Sequence, residues 1–154
     1  MKTLLKSLNK ILKSILSILL ISLVIVVSYV ALMRSVFSSS PAWGESVALL
    51  IMVWFCLLSA ALGVMDKIHI RMTILDNFLN EKIINNIEHL TLILWMIIGV
   101  SAIIFGIKLT TLAGNNIITG IYLPASVMYS SIPVFGVIVL LSAIEQEVEL
   151  CKQV

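Results

Sequence analysis

Four uncharged, mostly apolar runs of about 20 residues each divide this chain, and no other feature restricts its fold as much. They are Ser14 to Met33, Ser46 to Met65, Leu90 to Ile107 and Leu123 to Ile144. A helix rises about 1.5 Å per residue, so about 20 residues cross the roughly 30 Å of hydrocarbon in a bilayer. Barrel strands would instead alternate apolar and polar residues in runs of about ten, which these do not. The expected fold is an all-α integral membrane protein with four transmembrane helices, at about 14–37, 46–65, 88–108 and 123–144, within a single four-span membrane domain covering residues 1–154. Composition agrees: the chain is 60% hydrophobic and 12% charged, with a mean hydropathy of +1.15. Soluble domains are roughly half apolar and a quarter charged.

Lysine and arginine give the orientation. Lys2, Lys6, Lys10 and Lys13 precede the first span, Lys67, Arg71 and Lys82 lie between the second and third, and Lys152 follows the fourth. Only Arg34 and Lys108 fall on the other side. The positive-inside rule therefore puts both termini and the 66–86 loop in the cytoplasm. A basic start followed by an apolar run also describes a signal peptide, but this run exceeds the usual apolar core of about 7–15 residues and no A-x-A site follows it. The lysines, with Leu5, Leu8 and Leu12 among them, instead predict a helix that begins on the anionic inner surface and continues into the first span.

Signatures of catalysis are missing from the sequence: it has no phosphate-binding loop, no H-E-x-x-H, no C-x-x-C and no G-x-S-x-G. His69 and His89 lack a spaced set of ligands around them, so neither a metal nor a cofactor is expected, nor an enzyme. No nucleic-acid partner is expected. Cys56 and Cys151 lie too far apart in depth to bridge. The spans hold no mid-membrane charge, which ion and proton paths generally require. Their polar residues are mainly Ser, Thr and Tyr, which suit helix packing, as do Gly63, Gly99 and Gly106.

Charge gathers between the second and third spans, in GVMDKIHIRMTILDNFLNEK. At 100° per residue Ile68, Met72, Leu75 and Leu79 form one stripe, with His69, Thr73, Asp76 and Asn80 roughly opposite. This pattern predicts an amphipathic helix lying in the inner interface, with Arg71 reaching toward phosphates. On the other side, Ser39 to Glu45 predicts a turn and then a helix start. Trp43 would sit at interface depth, and Glu45 in the first turn, where the helix dipole favours an acid.

These elements, in this order, resemble the small membrane subunit of tripartite ATP-independent periplasmic (TRAP) transporters, the DctQ-like family. The residues that carry the resemblance are Trp43 and Glu45 opening the second span, Trp54 within it, then Gly63, Asp66, His69, Ile70 and Arg71. Leu123-Pro124, Tyr129 and Pro133-x-x-Gly136 are similar to that family's ending. The resemblance implies a large many-span permease subunit and a periplasmic substrate-binding protein as partners, beside membrane lipids, in the bacterial inner membrane. It also implies sodium-driven uptake of an organic acid such as a dicarboxylate, sialic acid or a keto-sugar acid, with this chain as the scaffold of the large subunit. Trp43, Glu45, Trp54, Asp66, Lys67, His69, Arg71, Pro124, Tyr129 and Pro133 are then candidate contacts with partner or membrane. A homo-oligomeric exporter and a non-transport adaptor are the alternatives. Such exporters hold an acid in the first span, which this chain lacks.

Overall fold

The computed structural model describes residues 2–38, 41–66 and 81–150. The first helix, α1 (Lys2–Phe37), is continuous for 36 residues, so the basic N-terminal stretch and the first span form one element, as the sequence predicts. Helix α2 (Ala42–Met65) follows Pro41, which lies in an extended conformation at its N-cap. Helix α3 runs over Glu81–Leu112 and closes in a single 3₁₀ turn. A short α4 (Ser126–Tyr129) then leads into α5 (Ser131–Leu150). Among the described residues, four stretches are long and apolar enough to cross a membrane: Ser7–Phe37, Ala42–Met65, Ile87–Asn115 and Ser126–Val148.

Packing orders the long helices as α1, α2, α5, α3, with α1 and α3 at the two edges. The main core lies where α1, α2 and α5 meet. Leu12 and Leu16, Leu58, Ala61 and Val64, and Phe135, Ile138 and Val139 bury one another there. Their spacings of three and four residues put each set on one helical face. The α3–α5 seam works differently, through glycine. A Cβ at Gly136 would lie 2.8 Å from the Gly99 carbonyl oxygen, so the two backbones approach as closely as only small residues allow. Gly106 meets Pro133 in the same way. Of the small residues in the second span, Ala61 and Gly63 face inward while Ser59 and Ala60 are exposed.

The last span departs from the expected unbroken helix at 123–144. Leu123 to Ala125 are not helical, and the helix is interrupted at Ser130. Proline explains both features. Pro124 belongs to an antiparallel bridge with Ile117, and Pro133, having no N–H, cannot bond the carbonyl of Tyr129. The amphipathic helix expected in the second connection falls on residues 67–80, outside the described residues.

Candidate partner and membrane-contact sites

Polar contacts gather at the two ends of the bundle. We call one the basic end, where α1 begins, and the other the hairpin end, where α3 turns back toward α5.

At the basic end, Asp66 closes α2 and takes a hydrogen bond from the side-chain amide of Asn9 and an ion pair from Lys13, at 3.0 Å. Both partners come from α1, so this carboxylate ties the first two helices together. Partial burial alone would push its pKa up, but the amide and the ammonium together outweigh that, and the carboxyl lies below its ordinary value. His89 Nδ1 and Glu147 Oε1 are 2.7 Å apart, joining α3 to α5. Gln146, 5% exposed, donates its amide to the Val64 carbonyl at 2.9 Å and joins α5 to α2. Among the described residues, a polar clasp therefore serves each helix contact at this end.

The hairpin end is held by carbonyls and hydroxyls. Trp54 donates its indole N–H to the Val127 carbonyl at 3.1 Å, and Ser130 Oγ donates to the same oxygen at 2.8 Å. Ser131 Oγ donates to the Met128 carbonyl at 2.7 Å. These side chains bond carbonyls that an uninterrupted helix would satisfy with its own N–H groups, which is how a broken helix is tolerated at membrane depth. Nearer the end, Ser46 Oγ donates to the Thr119 carbonyl at 2.6 Å. Trp43 stacks on Tyr29 of α1, with ring centroids 5.9 Å apart.

The candidate residues therefore separate into groups. Trp54 bonds the Val127 carbonyl beside the interruption between α4 and α5, Tyr129 ends α4, and Pro133 lies in the first turn of α5. Pro124 lies in the adjoining hairpin, and Trp43 and exposed Glu45 occupy the first turn of α2 beside it. Asp66 stands at the opposite end, engaged within the chain. Lys67, His69 and Arg71 lie outside the described residues. Sequence reasoning missed Asn9, Lys13, Ser46, Gln146 and the His89–Glu147 pair. Gln146 did leave a signal: it continues the spacing of buried Phe135, Val139 and Ser142, which puts an amide on an apolar stripe.

Residues 23–153 match the family model described as tripartite ATP-independent periplasmic transporters, DctQ component. The chain belongs to the DctQ family. A search of curated proteins gives no match. The family match begins at Leu23, past the middle of α1, and takes in the other three membrane helices, so the Trp54 joint, the Gly99–Gly136 seam and the Gln146 clasp are all parts of a DctQ domain. DctQ chains are components of TRAP transporters, so this is a multi-pass membrane protein of a transport system.

Proposed function

We propose that this DctQ chain scaffolds the large membrane subunit of a TRAP transporter, as one four-span unit in the bacterial inner membrane with both termini in the cytoplasm. In this reading it serves sodium-driven uptake of an organic acid delivered by a periplasmic binding protein. The observation that carries the proposal is where the polar groups lie. Among the described residues, the Lys13–Asp66 ion pair and the His89–Glu147 hydrogen bond lie at one end, and the central portions of the spans hold no charge that a substrate or ion could use. Such a chain suits holding a neighbour in place, while passage of substrate and sodium belongs to the large subunit.

Edge helices α1 and α3 support the same reading. Ile18, Ile21 and Ile25 on α1, and Ile97, Ile104 and Phe105 on α3, are at least half exposed, leaving broad apolar faces for lipid or a larger membrane partner. Trp43, Glu45, Lys67, His69 and Arg71 are the proposed contacts with that partner or with headgroups. Trp54, Pro124, Tyr129 and Pro133 shape the surface from within.

Co-expression with the large permease subunit, tagging only the small chain, is the direct test. A stoichiometric complex in detergent is expected. Uptake in vesicles should require the binding protein and a sodium gradient, and should disappear without the small chain. Isolation of a homo-oligomer alone, or uptake indifferent to the small chain, would overturn the scaffold reading.

A further inference from the structure

Between Lys108 and Glu145 the chain carries no charged residue, although this stretch includes an entire connection between two spans. That connection is a built hairpin. Ile118 donates its N–H to the Leu123 carbonyl at 2.8 Å, and Ala125 donates to the Asn116 carbonyl at 2.7 Å. Ile117 and Pro124 pair across it. Gly120 turns the tip with φ of 91°, and a Cβ there would collide with the Ala42 carbonyl. With the Ser46–Thr119 hydrogen bond, this fixes the tip against the first turn of α2.

Side chains that a water-facing loop would hide are turned outward here. Tyr122, in the left-handed region at φ of 55°, is 88% exposed, and Ile117 is 66% exposed. Leu112, at the end of α3, is 77% exposed, so the apolar surface of the third span continues onto the hairpin.

Depth decides what covers this surface. Gly44 lies against Val30 of α1, which marks the level of the first turn of α2. Arg34, four residues further along α1, reaches about 6 Å beyond that level. Thr119 is bonded to Ser46, on the membrane side of the same level. The tip of the hairpin, with Thr119 bonded to Ser46 and Gly120 against Ala42 and Trp43, therefore sits no further out than the arginine and beside the Tyr29–Trp43 pair. Guanidinium and ammonium groups at span ends reach for phosphates, while tyrosine and tryptophan favour the layer just beneath them.

We propose that the hairpin Asn116–Ala125 is a foot resting in the lipid interface, with Ile117 and Tyr122 directed toward the boundary between headgroups and acyl chains. The occupant of this surface is lipid. Its uncharged character suits the dipolar headgroup layer, and its continuity with Leu112 joins it to the exposed apolar surface of α3. Because its tip is clamped to α2, the foot would fix the depth of α2 and of the α3–α5 pair together.

A nitroxide at residue 122 tests this in the full chain. Tyr122→Cys is made with Cys56→Ser and Cys151→Ser, labelled, and reconstituted in phosphatidylethanolamine–phosphatidylglycerol vesicles, alone and with the large subunit. Collisions with oxygen, which enters the bilayer, are compared with those of a water-soluble nickel chelate. A chain-labelled phospholipid and a free water-soluble nitroxide give the lipid and water references. We expect the oxygen-to-nickel ratio at 122 to be several-fold above that of the free nitroxide, and unchanged by the large subunit. A ratio equal to that of the free nitroxide would put the hairpin in water and overturn the proposal. Loss of both kinds of collision on adding the large subunit or the binding protein would also overturn it, by assigning the surface to a protein. A second label, at Ile117→Cys, gives the same reading should the first variant fold poorly.

Discussion

The two ends of this bundle are fastened by different chemistry. At the basic end, side chains bond side chains or reach across to a neighbouring helix: Lys13 and Asn9 to Asp66, His89 to Glu147, Gln146 to Val64. At the hairpin end, hydroxyls and an indole serve backbone carbonyls, and glycines let the chain come close. The difference follows from the connections. Asp66 closes its helix at a charged connection, where water and headgroups solvate ions cheaply, whereas the hairpin and the α4–α5 joint contain irregular backbone that must be satisfied on the spot. Ionic fastenings exposed to water are weak and adjustable. Steric and carbonyl fastenings fail abruptly when their geometry is lost.

The largest effect should come from the glycine seam. Gly136→Leu forces a side chain into the Gly99 carbonyl and Ile103, and overpacking of that kind costs about 1–3 kcal/mol or more. Its unfolding temperature in detergent should fall further than that of any single variant at the hairpin, the Trp54 joint or the basic end. A shift of a degree or less would mean that the seam is looser than described. Gly120→Ala comes next, at about 1–3 kcal/mol, because its backbone conformation and its contact with Ala42 both exclude a Cβ. Its damage should be local. Proteolysis in the 116–125 hairpin should rise while the rate of cleavage at the basic end stays the same.

Trp54→Phe and Gln146→Leu compare the two ends directly. Each removes one donor to a carbonyl and retains an apolar body, so each should cost about 1 kcal/mol. Their effects should add in the double variant, since they fasten separate joints. Coupling above about 0.5 kcal/mol would show that the two ends are not independent.

Legibility in the sequence differs between the same two regions. The spans are legible because length and charge alone set them, and the continuity of α1 is legible because leucines run between its lysines. The hairpin is not. Pro124 and Pro133 stand out as parts of a pattern, yet the helix break depends on which carbonyls find donors, and Trp54 lies more than seventy residues from Val127. The clasps at the basic end are hidden for a related reason. Asp66 stands beside Lys67 and near Arg71 in the sequence, so its attachment to Asn9 and Lys13 emerges only from the packing of α1 on α2.

The smallest effect should come from Asp66 itself. Asp66→Asn removes an ion pair whose lysine side chain is 55% exposed, so the loss should be below about 1 kcal/mol and should shrink further in high salt. Its pH dependence has a definite sign. The folded-state carboxyl lies below its ordinary value, so the stabilisation is fully present above the unfolded pKa of about 3.9 and is lost as pH falls through the lowered folded value. The difference in unfolding temperature between the natural chain and Asp66→Asn should therefore be constant from pH 5 to pH 8 and close only in stronger acid. A difference that instead varied between pH 6 and pH 8 would mean that the basic clasp is linked to another titrating group. The ionic fastening would then be one linked network across all four spans, where the described contacts make it a set of separate pairs.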